Sequence, residues 1–431
     1  MTRVTETFSI TNHAKCKQQM LHWLNRFNIC CFLDNHEYHS TYQNIECLAA
    51  AGAIETFTAG ENALESFSAF NRAQDDWLFG HLSYDLKNEI DAPLVSEHPD
   101  HIGFPDICFF RPETVLQLSG SVLTISTHTR KPSDIFAEIS SETTTETRQT
   151  IPNLHITPRI EQGEYLSILE KLKQHILRGN CYEINFCQEF YAENAQINPL
   201  AVYQELTAVS PNPFACYYKS GNKYLLCASP ERYLQKKGKQ LISQPIKGTF
   251  KRNLQNPESD QMLKQSLAAS EKDKSENVMV VDLVRNDLSR VCVEGSVKVD
   301  ELFGVYSFPQ VHQMISTISG VLKDGVDLTE IIKASFPMGS MTGAPKRRVM
   351  ELIETFEKTK RGIYSGAVGY ISPEKDFDFN VVIRSILYNK SNRYLSYLVG
   401  GGITFYSDPE QEYAECLLKA AAIKKVLEKK G

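Results

Sequence analysis

Segments with strand character follow one another here without room for a helix between them, and this limits the fold more than any other feature. Residues 214–218, 223–229 and 240–246 form one such series, and 365–371, 379–387 and 394–399 another. A repeating βαβ wind needs a helix-length crossover between successive strands, and these gaps are too short. Helical spacing appears in other places. In 163–179, Tyr165, Ile168, Leu169, Leu172, Ile176 and Leu177 recur on one face, with Gly179 placed to stop the helix. Asp327 and Glu330 have the spacing of a capping box. Pro345 suits the first turn of a helix whose buried face is Val349, Leu352, Ile353 and Phe356, and 409–430 reads as a closing helix. A strand is expected at 295–299. Adjacent strands with segregated helices indicate an α+β fold.

Composition narrows the function classes. In 431 residues, 42% are hydrophobic and the net charge is −6, which suits a globular soluble protein with a substantial core and argues against a partner in nucleic acid. No apolar run approaches the roughly 20 residues of a membrane span, and Met1–Glu6 lacks the apolar core of a signal peptide, so no membrane partner is expected. Eleven cysteines without a C-x-x-C pair point to core residues in a reducing, cytoplasmic setting. Residues 141–147 are polar and read as part of a linker spanning 141–153. It separates an N-terminal region, 1–140, from a pattern-dense region, 154–431.

The chemistry centres on Gln244-Pro245-Ile246-Lys247-Gly248-Thr249. Pro245 disfavours helix at Gln244 and Gly248 lets the chain turn closely behind Lys247, so this lysine should stand at the end of a strand. Held there and kept partly deprotonated, it can act as a nucleophile; alternatively it is an ordinary turn lysine. Around it lie Ala228-Ser229-Pro230-Glu231-Arg232, the run from Ser275-Glu276-Asn277 to Arg285-Asn286-Asp287-Leu288, Met338-Gly339-Ser340-Met341-Thr342-Gly343-Ala344-Pro345-Lys346, and Gly400-Gly401-Gly402-Ile403. In this order and spacing they resemble the chorismate-utilising enzymes, the family of the anthranilate, aminodeoxychorismate and isochorismate synthase large subunits. The P-I-K-G-T form is similar to the aminodeoxychorismate synthase branch; anthranilate synthases typically carry alanine in place of Lys247.

The resemblance implies a large α/β/β/α-type sandwich, with residues 1–140 contributing strands to the same fold. It implies amination of chorismate at C4 to 4-amino-4-deoxychorismate, on the way to 4-aminobenzoate and folate. Anthranilate synthase component I remains the alternative. Mg²⁺ would be held by Glu276 and Glu415, since this ion combines one or two protein carboxylates with substrate oxygens and water; Glu415 also has i,i+4 spacing to Lys419. Tyr364, Arg384 and the turn Gly400, Gly401, Gly402 match positions that hold the enolpyruvyl carboxylate, with Ser340 and Lys419 completing the substrate contacts. Glu231 corresponds to the general acid for the departing 4-hydroxyl, which requires a pKa raised by burial, unless it merely pairs with Arg232. Lys247 would add at C2 as the hydroxyl leaves, and ammonia would then enter at C4 and expel it. Such a lysine should have its pKa lowered by desolvation. No Gly-x-Cys-x-Gly segment is present, so a glutamine amidotransferase subunit is the expected ammonia source.

Two positions depart from the family pattern. Glu183 stands where amino-transferring branches usually carry glutamine and water-adding ones lysine, which disfavours water addition. Gln313 replaces a histidine linked to pyruvate elimination, in keeping with an enzyme that retains the enolpyruvyl group. The tryptophan-site signature expected near Cys31–Asn35 is not intact.

Overall fold

The structure is a computed structural model that describes residues 3–38, 42, 45–58, 62–91, 94–143 and 154–428. Most of the expected linker, 144–153, lies outside the described residues. Two large sheets face each other. The twelve-stranded sheet runs Val4–Ser9, Val122–Thr127, Thr114–Ser119, Cys47–Ala51, Ile29–Asp34, Phe214–Ser220, Lys223–Ser229, Ser385–Asn389, Tyr394–Thr404, Glu183–Ala192 and Gly343–Ala344, with Thr157–Pro158 beside Glu183–Ala192. The ten-stranded sheet runs Ile246–Lys251, Val311–Val321, Gln240–Gln244, Arg232–Lys237, Phe377–Val381, Ala367–Ile371, Leu78–Leu82, Ile107–Arg111 and Glu55–Thr58, with Lys298–Ser307 added to Val311–Val321. Strands from the first 140 residues therefore occur in both sheets, and the fold is α+β.

Side-chain alternation builds two cores from one sheet. In Ile29–Asp34, Cys31 enters the core between the sheets while Cys30 and Phe32 face the helices outside. In Cys47–Ala51, Leu48 and Ala50 face inward, with Cys47, Ala49 and Ala51 on the other side. Each strand is buried on both faces, which explains why these stretches read as nearly continuous apolar runs. Helix Gln162–Leu177 packs Tyr165, Ile168, Leu169 and Leu172 into the outer core, and Gly179, at φ +75°, ends it in the left-handed region that favours glycine. Both capping-box hydrogen bonds form at Asp327–Glu330, starting helix Leu328–Ser335. Pro345 sits at the N-cap of helix Lys346–Phe356, one position before the expected first turn.

Three strand expectations need correction. The strand expected at 295–299 starts at Lys298 and runs to Ser307. The stretch 379–387 is two strands, Phe377–Val381 and Ser385–Asn389, which lie in different sheets; the chain leaves one for the other through Arg384, at φ +52°. The segment 240–246 also divides, at Pro245, and Lys247 belongs to the following strand, Ile246–Lys251. Among the described residues no helix is long and apolar enough to cross a membrane.

Candidate active site

The register of Ile246–Lys251 explains how Lys247 is presented. Ile246 pairs with Ile315 and Thr249 with Gln313, so one residue is extra on the lysine's strand. This bulge lies at Lys247-Gly248, and Gly248 takes φ +87°. A bulge locally redirects a side chain out of the ladder, which is its common use beside active sites. A side chain at 248 would also press on helix Glu271–Val291, because its Cβ would stand 3.0 Å from Asp273.

Lys247 points into a cavity of about 360 Å³ between the open ends of the two sheets. Glu231, Glu276, Ser340, Tyr364, Arg384, Gly400, Gly402, Glu415 and Lys419 line the same space. Gly401 is not in the lining, but a Cβ there would stand 3.5 Å from both Glu412 Oε2 and Lys419 Nζ. Ten of the eleven site residues named from sequence thus surround one cavity, drawn from positions 231 to 419.

Helix Glu271–Val291 brings Glu276 and helix Pro409–Leu427 brings Glu415. Burial raises the Glu276 pKa to about 7; the Lys247 and Lys272 ammonium groups oppose the rise, and the Glu183 and Glu412 carboxylates add to it. Glu415 is held below the usual carboxylate range by Lys419, whose Nζ is 2.9 Å from Glu415 Oε1. The i,i+4 pair anticipated from sequence therefore exists inside the site wall. Two neighbours were missed. Glu412 is buried and accepts from Ser407 Oγ at 2.7 Å, while Lys272 Nζ lies 3.2 Å from Glu412 Oε1 and 3.9 Å from Glu276 Oε1. Their spacing offered a signal, since Glu412 precedes Glu415 by one helical turn and Lys272 precedes Glu276 by another. Glu276 and Glu415 offer hard oxygen donors of the kind that Mg²⁺ takes, each beside a lysine.

Glu231 does not pair with Arg232. That guanidinium is bound to Asp378, with both distances 2.9 Å, on the far side of the strand. Burial raises the Glu231 pKa to about 7, with the Ser340 hydroxyl, the Lys247 ammonium and the Ile246 backbone opposing. Ser340 Oγ lies close enough to favour the ionised form, yet it is buried without a hydrogen bond of proper geometry. The Arg384 guanidinium makes no hydrogen bond or ion pair with any described residue, and burial presses its pKa down from the ordinary value. Its left-handed backbone costs roughly 1–3 kcal/mol, a strain that clusters at ligand sites. Tyr364 is buried, with its hydroxyl 3.7 Å from Cys187 Sγ.

The glycines are required by close packing. A Cβ at Gly400 would overlap the Phe186 carbonyl, and one at Gly402 would press on Glu183 Oε1 and stand 3.0 Å from Lys247 Nζ. Lys419 Nζ donates to the Gly400 carbonyl at 3.1 Å.

The expected lowering of the Lys247 pKa is not what the structure gives. Burial acts in that direction, but the Glu183, Glu276 and Glu231 carboxylates outweigh it and raise the pKa above the ordinary lysine value. Glu183 is in direct ion-pair contact with Lys247 Nζ. In the sequence it was only a departure from a pattern; its partner is 64 residues away, and no local spacing announces the pair.

Residues 28–425 match the family described as chorismate binding enzyme. The chain belongs to that family. It is 35% identical over 389 residues to a probable chloroplastic aminodeoxychorismate synthase from Oryza sativa subsp. japonica, covering 81% of this chain and 43% of that protein. It is 37% identical over 291 residues to aminodeoxychorismate synthase component 1 of Bacillus subtilis, covering 68% of this chain and 61% of the relative. The matched region therefore spans about half the length of these relatives. The crystal structure of anthranilate synthase component I from Streptococcus pneumoniae superimposes with a TM-score of 0.78 at 24% identity, covering 91% of this chain and 95% of that one. At that identity the likeness is one of fold.

Proposed function

We propose that this chorismate-binding chain aminates chorismate at C4 to 4-amino-4-deoxychorismate, feeding 4-aminobenzoate and folate synthesis. The observation that carries the reading is Lys247 Nζ in the same cavity as Glu231, a buried carboxyl whose pKa of about 7 lets it hold a proton near neutrality. Two relatives named aminodeoxychorismate synthase support it, as does the retained lysine.

Chorismate carries two carboxylates, and the cavity offers two kinds of anchor. Arg384, Tyr364 and the Gly400–Gly402 backbone take the enolpyruvyl carboxylate; a guanidinium without a partner among the described residues matches its charge and shape. Glu276 and Glu415 would hold Mg²⁺. When bound, this ion supplies a fixed positive centre for the ring carboxylate and for the surrounding acids. Lys247 then forms the bond at C2 while the C4–O bond breaks, and Glu231 donates its proton so that water leaves. Ammonia enters at C4 and the C2–N bond breaks, freeing the lysine. Splitting one displacement at a poor leaving group into two allylic displacements lowers the barrier of each.

The ammonia comes from a glutamine amidotransferase subunit. The described cysteines are all free and buried, a state suited to the cytoplasm. Purified chain incubated with chorismate, Mg²⁺ and ammonium, followed by product mass analysis, should yield aminodeoxychorismate without pyruvate. Anthranilate with pyruvate would replace this reading with that of an anthranilate synthase component I. Turnover with glutamine should require an added amidotransferase subunit, and glutamine use by the single chain would remove the partner from the proposal.

A further inference from the structure

We propose that Glu183 is the proton acceptor that makes Lys247 nucleophilic during its attack, and that it returns the proton when the lysine departs. The inference rests on the amination reading above and assigns a residue to a step that reading leaves open. An ammonium ion has no lone pair, so Lys247 must lose a proton before it can form a bond at carbon.

Geometry selects the acceptor. The charged groups around Lys247 are Glu183 from strand Glu183–Ala192, Glu276 from helix Glu271–Val291 and Glu231 from the start of strand Arg232–Lys237; Glu415, from helix Pro409–Leu427, also senses its charge. Glu231 must carry a proton to the departing hydroxyl and so cannot accept one at that moment. Glu276 and Glu415 are the carboxylates assigned to Mg²⁺ in the amination reading. Glu183 is left, and its carboxylate is the one already in contact with Lys247 Nζ.

The pair is also held in place. Glu183 lies between two strand neighbours, opposite Thr404 on one side and Ala344 on the other. Gly402 closes over the contact, where a Cβ would touch both Glu183 Oε1 and the lysine. Lys247 is fixed on its bulge, and both side chains are buried. A purely structural counterion has both oxygens engaged, as Glu357 does with Arg361 and the Cys187 N–H. Glu183 differs, because its Oε2 is buried without a hydrogen-bond partner among the described residues. The carboxylate can therefore take a proton without breaking a second bond.

The step balances. The Lys247 ammonium gives one proton to the Glu183 carboxylate, and the freed amine forms the C2–N bond. The C4–O bond breaks with the Glu231 proton, releasing water and leaving a secondary ammonium on C2. Ammonia then forms the C4–N bond as the C2–N bond breaks, so that Lys247 leaves as a neutral amine and the product carries a C4 ammonium. The Glu183 carboxyl returns its proton to the amine, and the Glu231 carboxylate is reprotonated by the product ammonium.

The test is the rate of chorismate adduct formation on Lys247, read by intact mass with no ammonia present, in the wild type and in Glu183→Gln. The substitution keeps shape and a hydrogen-bonding group but cannot accept the proton. In the wild type the rate should hold below about pH 7 and fall roughly tenfold per unit above it, as Glu231 loses the proton that the departing hydroxyl needs. In Glu183→Gln it should fall by about 100-fold near neutrality, within the range for general-base catalysis, and the decline above about pH 7 should flatten as hydroxide takes over the deprotonation. Chorismate affinity should stay within about twofold, and Glu183→Asp should recover part of the rate. Adduct formation in Glu183→Gln at the wild-type rate and with the wild-type pH dependence would overturn the proposal while leaving the amination reading intact. Failure of the wild type to form any adduct, with Lys247→Ala fully active, would remove the reading and the inference together.

Discussion

Two buried ionic groups stand close together in this molecule and are built to opposite ends. Arg361, 2% exposed, directs all its N–H groups at acceptors: Glu357 Oε2 at 2.9 Å and Oε1 at 2.6 Å, the Met341 carbonyl at 2.7 Å, the Asn185 carbonyl at 2.8 Å and Ser365 Oγ at 3.4 Å. Its guanidinium also lies 4.5 Å from the centre of the Tyr84 ring. Among the described residues, Lys247 has one ion-pair partner, and around its cavity Glu183 Oε2, Gln313 Oε1 and Ser340 Oγ are buried without a hydrogen-bond partner. The first group is closed and holds the Ser340 turn against strand Glu183–Ala192. The second is left incomplete, and what would complete it is a ligand. Buried polar atoms without partners cost stability, and those beside a cavity can gain their missing bonds from a ligand there.

The largest effect should come from the closed group. Glu357→Ala leaves a buried guanidinium without its carboxylate and should cost about 3–5 kcal/mol in urea unfolding. A loss below about 1 kcal/mol would show that the group is not the fixed support described. Lys247→Ala should do the reverse, with at least about a 100-fold loss of amination, or ~2.7 kcal/mol in the barrier. Its unfolding free energy should change by less than about 2 kcal/mol, because the cavity admits water to the remaining carboxylates. Lys247→Arg should be no better than alanine, since it keeps charge and supplies no neutral nitrogen. Partial recovery with arginine would make the role electrostatic.

A moderate effect is expected from pH. Burial raises the Glu231 pKa to about 7, and a general acid works only while protonated. At constant free ammonia, amination should therefore hold below that value and decline by roughly tenfold per unit above it. Glu231→Gln should remove the decline along with most of the rate; an unchanged alkaline limb in that variant would assign it to another group. The smallest change is expected from Gly402→Ala. Its methyl would crowd the Lys247–Glu183 contact and cut amination by roughly tenfold, because misplacement of reacting groups is costly. Stability should fall by no more than about 1–3 kcal/mol, the usual cost of overpacking.

The open group was largely legible in the sequence and the closed one was not. Lys247, Glu231, Glu276 and Glu415 stand in local motifs, and a motif reports residues whose chemistry dictates their neighbours. Arg361 and Glu357 lie four apart beyond the end of helix Lys346–Phe356, where the spacing alone suggests only another surface pair. Their importance comes from carbonyls at Met341 and Asn185, which tertiary folding brings in. Arg384 shows a similar limit. The alternation through 379–387 reads as one strand, and nothing in the side chains reveals the positive φ that sends the chain into the other sheet. Desolvation of Lys247 was legible as a tendency. The carboxylate that outweighs it comes from a strand 64 residues earlier, so the direction of the shift was not.

Amination by this route depends on Lys247 forming a bond to substrate. The most direct measurement is intact mass, with peptide mapping, of wild-type protein incubated with chorismate and Mg²⁺ and no ammonia source. The expected result is a single adduct of chorismate less water, mapped to Lys247, absent from Lys247→Ala and discharged when ammonium is added. An unmodified wild type, together with undiminished amination by Lys247→Ala, would contradict it.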